Sequence, residues 1–286
     1  MQTRTGAFPI GFRRGRSEWQ SDPQALAAWS HAHDIAVVDL GTDAPDSLQA
    51  FVEAGMRIGS IDLAAVKPMI SPDKGKRAEA VAQNADYVTA RGAANSFLVM
   101  LPEDPALPRA ENFGYMVESF GELLPTLEAK NARLAIEGWP GPGALCCTPE
   151  ALRALFKELP SQAVGINYDP SHLIRQGIDP LRFLSEFGER VYHIHGKDTE
   201  LLSEHLYVYG NEQPPTFAQR IRFGSLHWRY TIPGQGCMRW GQAFSMLEAQ
   251  GYTGCVSIEL EDANFNGTTE GEQFGILQGA RFLAGC

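Results

Sequence analysis

Short apolar runs alternate with segments of helical periodicity along the whole chain. Eight runs read as strands: Ala7–Phe12, Ile35–Gly41, Arg57–Leu63, Ser96–Leu101, Arg133–Gly138, Gly165–Asp169, Val191–His195 and Cys255–Leu260. Between them, Leu152, Leu155, Phe156 and Leu159 follow the spacing of one buried helix face, as do Met116, Phe120, Leu123, Leu124 and Leu127. Asp22-Pro23, Thr148-Pro149 and Asp179-Pro180 each place a capping side chain before a proline at the first helical position, marking three helix starts. Strands alternating with helices indicate βαβ units and a parallel sheet, and eight strands are the number that closes a barrel. The pattern predicts an α/β fold, a (β/α)8 TIM barrel forming a single domain over residues 1–286.

One interval breaks the rhythm. Residues 197–241 contain Pro214-Pro215, the turn Pro233-Gly234-Gln235-Gly236 and aromatics at Tyr207, Tyr209, Phe217, Phe223, Trp228 and Tyr230. They read as a long loop after strand seven. Loops of that length are usually functional, and this one leaves the barrel at the face where strand ends meet. The alternative is a loop that only packs or mediates subunit contact.

Composition narrows the picture further. The chain is 44% hydrophobic and 20% charged, enough apolar material for one large core. A formal charge of −10 argues against nucleic acid as a partner, since phosphate binding needs Lys and Arg to displace counterions. No stretch has the apolar length of a membrane span, and the N-terminus lacks the apolar core of a signal peptide, so a cytoplasmic location without a membrane partner is expected. Five cysteines form no CxxC pair, which points away from a disulfide framework or a cysteine zinc site. Cys255 reads as core, Cys146 and Cys147 as loop.

The chemistry lies at the ends of strands five to eight, which close in Glu137, Asp169, His195 and Glu259. In a barrel such residues converge on one mouth. Three carboxylates brought that close repel one another and lose charge unless a cation joins them. The oxygen-rich set with one imidazole suits one divalent ion, Mn, Mg, Co or Zn, without choosing among them. Each residue alone has a plain structural explanation, such as a helix cap or an arginine partner; four on successive strands are harder to explain that way.

Four strings carry a family resemblance: Ile136-Glu137, Tyr168-Asp169-Pro170-Ser171-His172, His193-Ile194-His195-Gly196-Lys197-Asp198 and Ser257-Ile258-Glu259-Leu260-Glu261-Asp262. They resemble the motifs of the xylose isomerase-like TIM-barrel superfamily, and Pro233–Gly236, Trp240 and Gly251-Tyr252 resemble its sugar phosphate isomerase/epimerase members. The likeness covers residues 130–286 closely and the first half in outline. It implies a metal-dependent isomerase or epimerase of a sugar or keto-sugar, with Glu137, Asp169, His195 and Glu259 as ligands. Glu137 and Glu259 would double as acid/base groups, moving a proton through a metal-bound enediolate.

By the same resemblance His172 hydrogen-bonds a substrate oxygen, its alternative being support of a ligand. Lys197 either places positive charge beside the enediolate or pairs with Asp198 or Glu261. His193 shares a strand face with His195 and reads as a supporting residue. Trp139, Phe12, Trp228 and Tyr230 are candidates for an apolar wall against the sugar, or for core. A homo-oligomer, dimer or tetramer, is expected.

Three other readings compete. An inosose dehydratase-like lyase would use the same enolising site and expel a leaving group. An endonuclease IV-like hydrolase would need further histidines at the ends of strands two to four, where none stands. A non-catalytic carbohydrate-binding barrel would use the metal only to orient its ligand. The absence of a glycine-rich phosphate cradle favours an unphosphorylated sugar.

Overall fold

The computed structural model describes the backbone of all 286 residues and the side chains of all but residues 44–46. Eight parallel strands close a barrel: β1 (Ile10–Arg13), β2 (Val37–Leu40), β3 (Arg57–Asp62), β4 (Asn95–Val99), β5 (Arg133–Glu137), β6 (Val164–Tyr168), β7 (Val191–Gly196) and, after two strands outside it, β10 (Val256–Ile258). Their order around the ring follows the chain, and β10 closes it by pairing with β7 and β1. The predicted first strand begins later than its apolar run. Gly6 and Ala7 take positive φ values of 78° and 49°, and the Thr3 N–H donates to the Phe8 carbonyl, so that stretch turns before the strand starts.

The helices α1 (Pro23–Ala32), α2 (Ala44–Glu53), α3 (Val66–Met69), α4 (Lys74–Arg91), α5 (Arg109–Ala129), α6 (Pro149–Glu158), α7 (Pro170–Ile174) and α8 (Pro180–Phe187) precede the outer strands, and α10 (Trp240–Ala249) and α11 (Thr269–Ala284) complete the ring. The three expected starts are capped by their side chains. Asp22 accepts from the N–H of Gln24 and Ala25, Thr148 from Ala151, and Asp179 from Leu181 and Arg182. On α5, Met116, Phe120, Leu123 and Leu127 are fully buried, so the periodic stripe is the face that covers the barrel.

The expected loop at residues 197–241 is instead a folded excursion. It contains β8 (Asp198–Leu201), the short helix α9 (Ser203–Tyr209) and β9 (Trp228–Thr231); β8 and β9 pair antiparallel, Asp198 opposite Thr231 and Leu201 opposite Trp228. Four-residue strands leave too short an alternation to stand out between the turn residues that separate them.

Asp198 anchors this excursion. Its buried carboxylate accepts from the N–H of Thr199 (2.8 Å), Met238 (3.0 Å) and Gly234 (3.3 Å) and from Trp240 Nε1 (3.2 Å). The returning turn passes so close that a Cβ on Gly236 would lie 2.2 Å from Asp198 Oδ1, so only glycine fits there. Asp198→Ala leaves these donors without an acceptor. It is expected to cost about 2–4 kcal/mol in urea denaturation; an unchanged midpoint would show that the carboxylate is not the anchor.

Candidate metal centre

Period-two alternation decides which side chains enter the barrel. On β5, Ile136 faces the helix layer and Glu137 turns inward at the last position, where it is buried. Asp169 directly follows β6 and caps α7: its Oδ1 accepts from the Ser171 N–H (2.9 Å) and Oγ (2.6 Å), which leaves Oδ2 to face the mouth beside Lys197. His195 projects from β7, and Glu259 follows β10 directly. One donor atom from each of these four side chains lies within 4.8 Å of every other.

The set fits a divalent cation by its own geometry. His195 Nδ1 is 2.7 Å from Glu137 Oε2 and 3.4 Å from Glu259 Oε2, yet neither ring nitrogen completes an aligned hydrogen bond. Asp169 Oδ2 is likewise buried without one. Donor atoms that crowd one point without bonding one another suit a shared ion, and oxygen with imidazole nitrogen is a donor set that Mn, Mg, Co and Zn accept.

The electrostatics are tightly balanced. Burial raises the pKa of Glu137 and so does Glu259, but His172 and His195 hold it well below the usual carboxylate range. Burial lowers the pKa of His195, yet Glu259 and Glu137 outweigh it and lift the imidazole to about 10. Lys197, fully buried, lies 3.1 Å from Asp169 Oδ2 and 2.9 Å from Glu261 Oε2, and pairs with Glu259. Burial works against its charge, and these carboxylates hold it well above the ordinary lysine value.

A profile of the xylose isomerase-like TIM barrel family matches residues 25–286. The chain belongs to this family. The uncharacterized protein YfiH of Bacillus subtilis is 33% identical over 135 residues, 46% of this chain and 40% of that one. The inosose dehydratase of Geobacillus thermodenitrificans is 30% identical over 114 residues, 40% of this chain and 36% of that one. The matched segments thus span two fifths or less of these relatives' lengths. Among solved structures, the D-psicose 3-epimerase of Clostridium cellulolyticum H10, crystallised with D-tagatose, superposes with a TM-score of 0.67 at 13% identity, over 97% of this chain and 100% of that one. The IOLI protein with a bound zinc atom superposes with a TM-score of 0.64 at 17% identity, over 96% of each chain. At these identities the likeness is one of fold.

Within this family barrel the other expected residues fall unevenly. His172 is buried beside the four, with Nε2 at 3.1 Å from Glu137 Oε1 and 3.3 Å from Asp169 Oδ2, and Nδ1 at 2.7 Å from the Tyr230 hydroxyl. Burial raises the Tyr230 phenol above its usual pKa, so it stays protonated and its hydroxyl can donate to His172 Nδ1. Trp228 is covered, its ring 4.9 Å from Tyr230 with Arg175 stacked at 4.7 Å, and it supports Tyr230. Trp139 is half-buried on the loop after β5, folded over Gly141. Phe12 is not at the mouth. It sits one position out of phase with inward-facing Arg13 and packs edge-on against Trp29 of α1, 5.8 Å between centroids. Asp198 faces its own turn, so of the two acids weighed as partners for Lys197 only Glu261 pairs with it. Cys146 and Cys147 lie in a loop but are buried.

Several residues at the site were missing from the sequence reading. Asn167 Nδ2 donates to Glu137 Oε2 at 2.7 Å. Arg13 makes a two-pronged pair with Asp62, 2.8 and 2.9 Å, and its Nε is 3.3 Å from Glu259 Oε1. Below the four, buried Asp39 Oδ2 lies 2.7 Å from His193 Nε2 and 3.8 Å from His195 Nε2. Asp39 is a lone charge inside an apolar strand, a signal that burial cost alone makes legible.

Two results follow for metal binding. Glu259 and Glu137 favour the protonated form of His195, so a cation would gain Nδ1 only by expelling a proton. Calorimetry at pH 7 in buffers of different ionisation enthalpy should show about one proton released per Mn(II) ion, with affinity rising with pH; uptake of no ion, or binding without proton release, would contradict this. Asp39→Asn removes the charge that holds His193 and faces His195 Nε2 at 3.8 Å, and should lower Mn(II) affinity about 10–100-fold. Unchanged affinity would reduce Asp39 to a packing role.

Proposed function

We propose that this chain is a divalent-metal-dependent enzyme that isomerises or epimerises a sugar or keto-sugar by proton transfer between two carboxylates. The observation that carries this reading is the placement of Glu137 and Glu259 at the two ends of an arc of adjacent strands, β5-β6-β7-β10, with Asp169 and His195 between them. A substrate carbon held above Asp169 and His195 would present opposite faces to the two glutamates.

A bound divalent ion would serve as a Lewis acid, stabilising by several kcal/mol the negative charge that gathers on a substrate oxygen when the neighbouring carbon loses its proton. The chain's own groups handle the proton. One glutamate oxygen takes it from carbon. The other glutamate, first protonated from solvent to the carboxylic acid, delivers its proton to the other face of that carbon, which inverts it, after which the first returns its proton to solvent. Delivery to the adjacent carbon, with the hydroxyl proton passing between the two substrate oxygens, interconverts aldose and ketose. Asn167 and His172 hold Glu137, while Arg13 and Lys197 hold Glu259, so both bases are fixed in place. Lys197 and His172 also offer N–H groups to substrate oxygens, and the excursion that carries Tyr230 covers this side of the mouth.

The inosose dehydratases among the relatives support a second reading, a lyase that begins with the same proton abstraction and then expels water. Product mass separates the two, because isomers keep the mass of the substrate.

The test is a deuterium wash-in screen of keto-sugars, keto-inositols and 3-keto-glycosides with Mn- or Mg-loaded protein, followed by mass spectrometry. Incorporation at carbon is expected for at least one substrate class, and Glu137→Gln or Glu259→Gln should reduce it by about a hundredfold or more. Full exchange in either variant removes that residue from the proton path. His172→Ala should raise KM while leaving Mn(II) affinity near the parent value; a large loss of metal instead would make His172 a ligand.

A further inference from the structure

We propose that the substrate is anionic, and that Arg14 and Arg16 receive its carboxylate or phosphate group in a cavity beside the metal centre. This rests on the reading above, since the cavity is placed by its opening onto Glu259. The loop that leaves β1 carries Arg13, Arg14 and Arg16. These arginines line a cavity of about 410 Å³ that reaches Thr42 and Asp62, and an adjoining one of about 220 Å³ walled by Glu259 and Glu261. A group held by the arginines therefore sits next to a carboxylate assigned to proton transfer.

The loop is braced. The Gly15 N–H donates to Gln20 Oε1 (2.6 Å) and Arg14 Nε to the Gln20 carbonyl (3.0 Å). Glu272 of α11 accepts from Ser17 Oγ (2.8 Å) and Trp19 Nε1 (2.8 Å). The arginines are thus presented by a held backbone, which limits the ordering cost of gripping a ligand.

The three are not equally engaged. Arg13 is committed to Asp62 and Glu259. Arg14 gives Nη1 to Asp43 (2.7 Å), while its Nη2 makes no hydrogen bond among the described residues. Arg16 is exposed and has neither hydrogen bond nor ion pair among the described residues. The carboxylates of the smaller cavity do not engage Arg14 or Arg16: Glu259 and Glu261 pair with Lys197, and Glu272 accepts from the loop's neutral donors. That leaves the exposed Arg16 without an ion-pair partner and Arg14 Nη2 without an acceptor among the described residues, and both have the fork geometry suited to a carboxylate or phosphate. The chain's net charge of −10 does not cancel this, because distant charges are screened beyond about 8 Å at physiological salt. Side chains, not a glycine-rich backbone cradle, would bind the anion, so the lack of such a motif does not bear on it.

The test is calorimetric titration of Mn-loaded full-length protein with D-glucuronate, D-glucose 6-phosphate and D-glucose. At least one anionic sugar should bind about tenfold or more tighter than D-glucose, and the stronger one tells carboxylate from phosphate. Arg16→Ala removes an exposed side chain and leaves the fold alone; it and the Arg14→Gln/Arg16→Ala double variant should lose the preference while keeping Mn(II) affinity. Three sugars that bind alike or not at all would overturn the inference, as would a preference that persists in the double variant, because the ion would then hold the anion. Anionic preference without carbon-bound deuterium exchange would keep this inference and reject the isomerase reading; exchange without that preference would do the reverse.

Discussion

Buried like charge is the constraint on which the rest of the structure turns. Glu137, Asp169 and Glu259 are gathered with His195 within 4.8 Å, the first two buried and Glu259 partly so, where water screens them poorly. Coulomb repulsion at such separations costs about 1 kcal/mol per pair in bulk water and several times that in a protein interior. Positive charge must be supplied, and the protein supplies it from several directions. His195 sits between two of the carboxylates, Lys197 pairs with Glu259, Glu261 and Asp169, and Arg13 approaches Glu259 from β1. A divalent ion held there would add to this balance and displace the His195 proton.

The barrel makes this concentration of charge stable. Its strands are cross-linked around the ring by interior polar pairs: β1 to β3 through Arg13 and Asp62, β2 to β7 through Asp39 and His193, β5 to β6 through Glu137 and Asn167. Each pair satisfies groups that would otherwise be buried without a partner, which explains why so polar an interior coexists with a helix layer packed by Phe120, Leu123 and Phe244. Fold and candidate site meet in Asp169, whose Oδ1 caps a helix while its Oδ2 faces the other donors of the cluster.

Much of this was legible in the sequence because the strands are apolar runs separated by marked helix starts. All eight barrel strands fall on the expected runs, and the strand-end pattern brought out Glu137, Asp169, His195 and Glu259, which the barrel draws together. Less visible was whatever depends on phase around a closed ring. Phe12 and Arg13 are adjacent, yet one faces the helix layer and the other the interior, which no run of apolar residues reveals. Arg13 with Asp62 and Asp39 with His193 are far apart in sequence and meet only once the barrel closes. The excursion of β8 and β9 hid behind its turns, though its anchor, Asp198, stood in plain view beside Lys197.

Anomalous diffraction from crystals grown with Mn(II) tests directly whether one divalent ion sits among these four side chains. One strong anomalous peak per chain is expected, within coordination distance of Glu137, Asp169, His195 and Glu259. A map with no peak there, or with manganese bound only elsewhere on the protein, would contradict it.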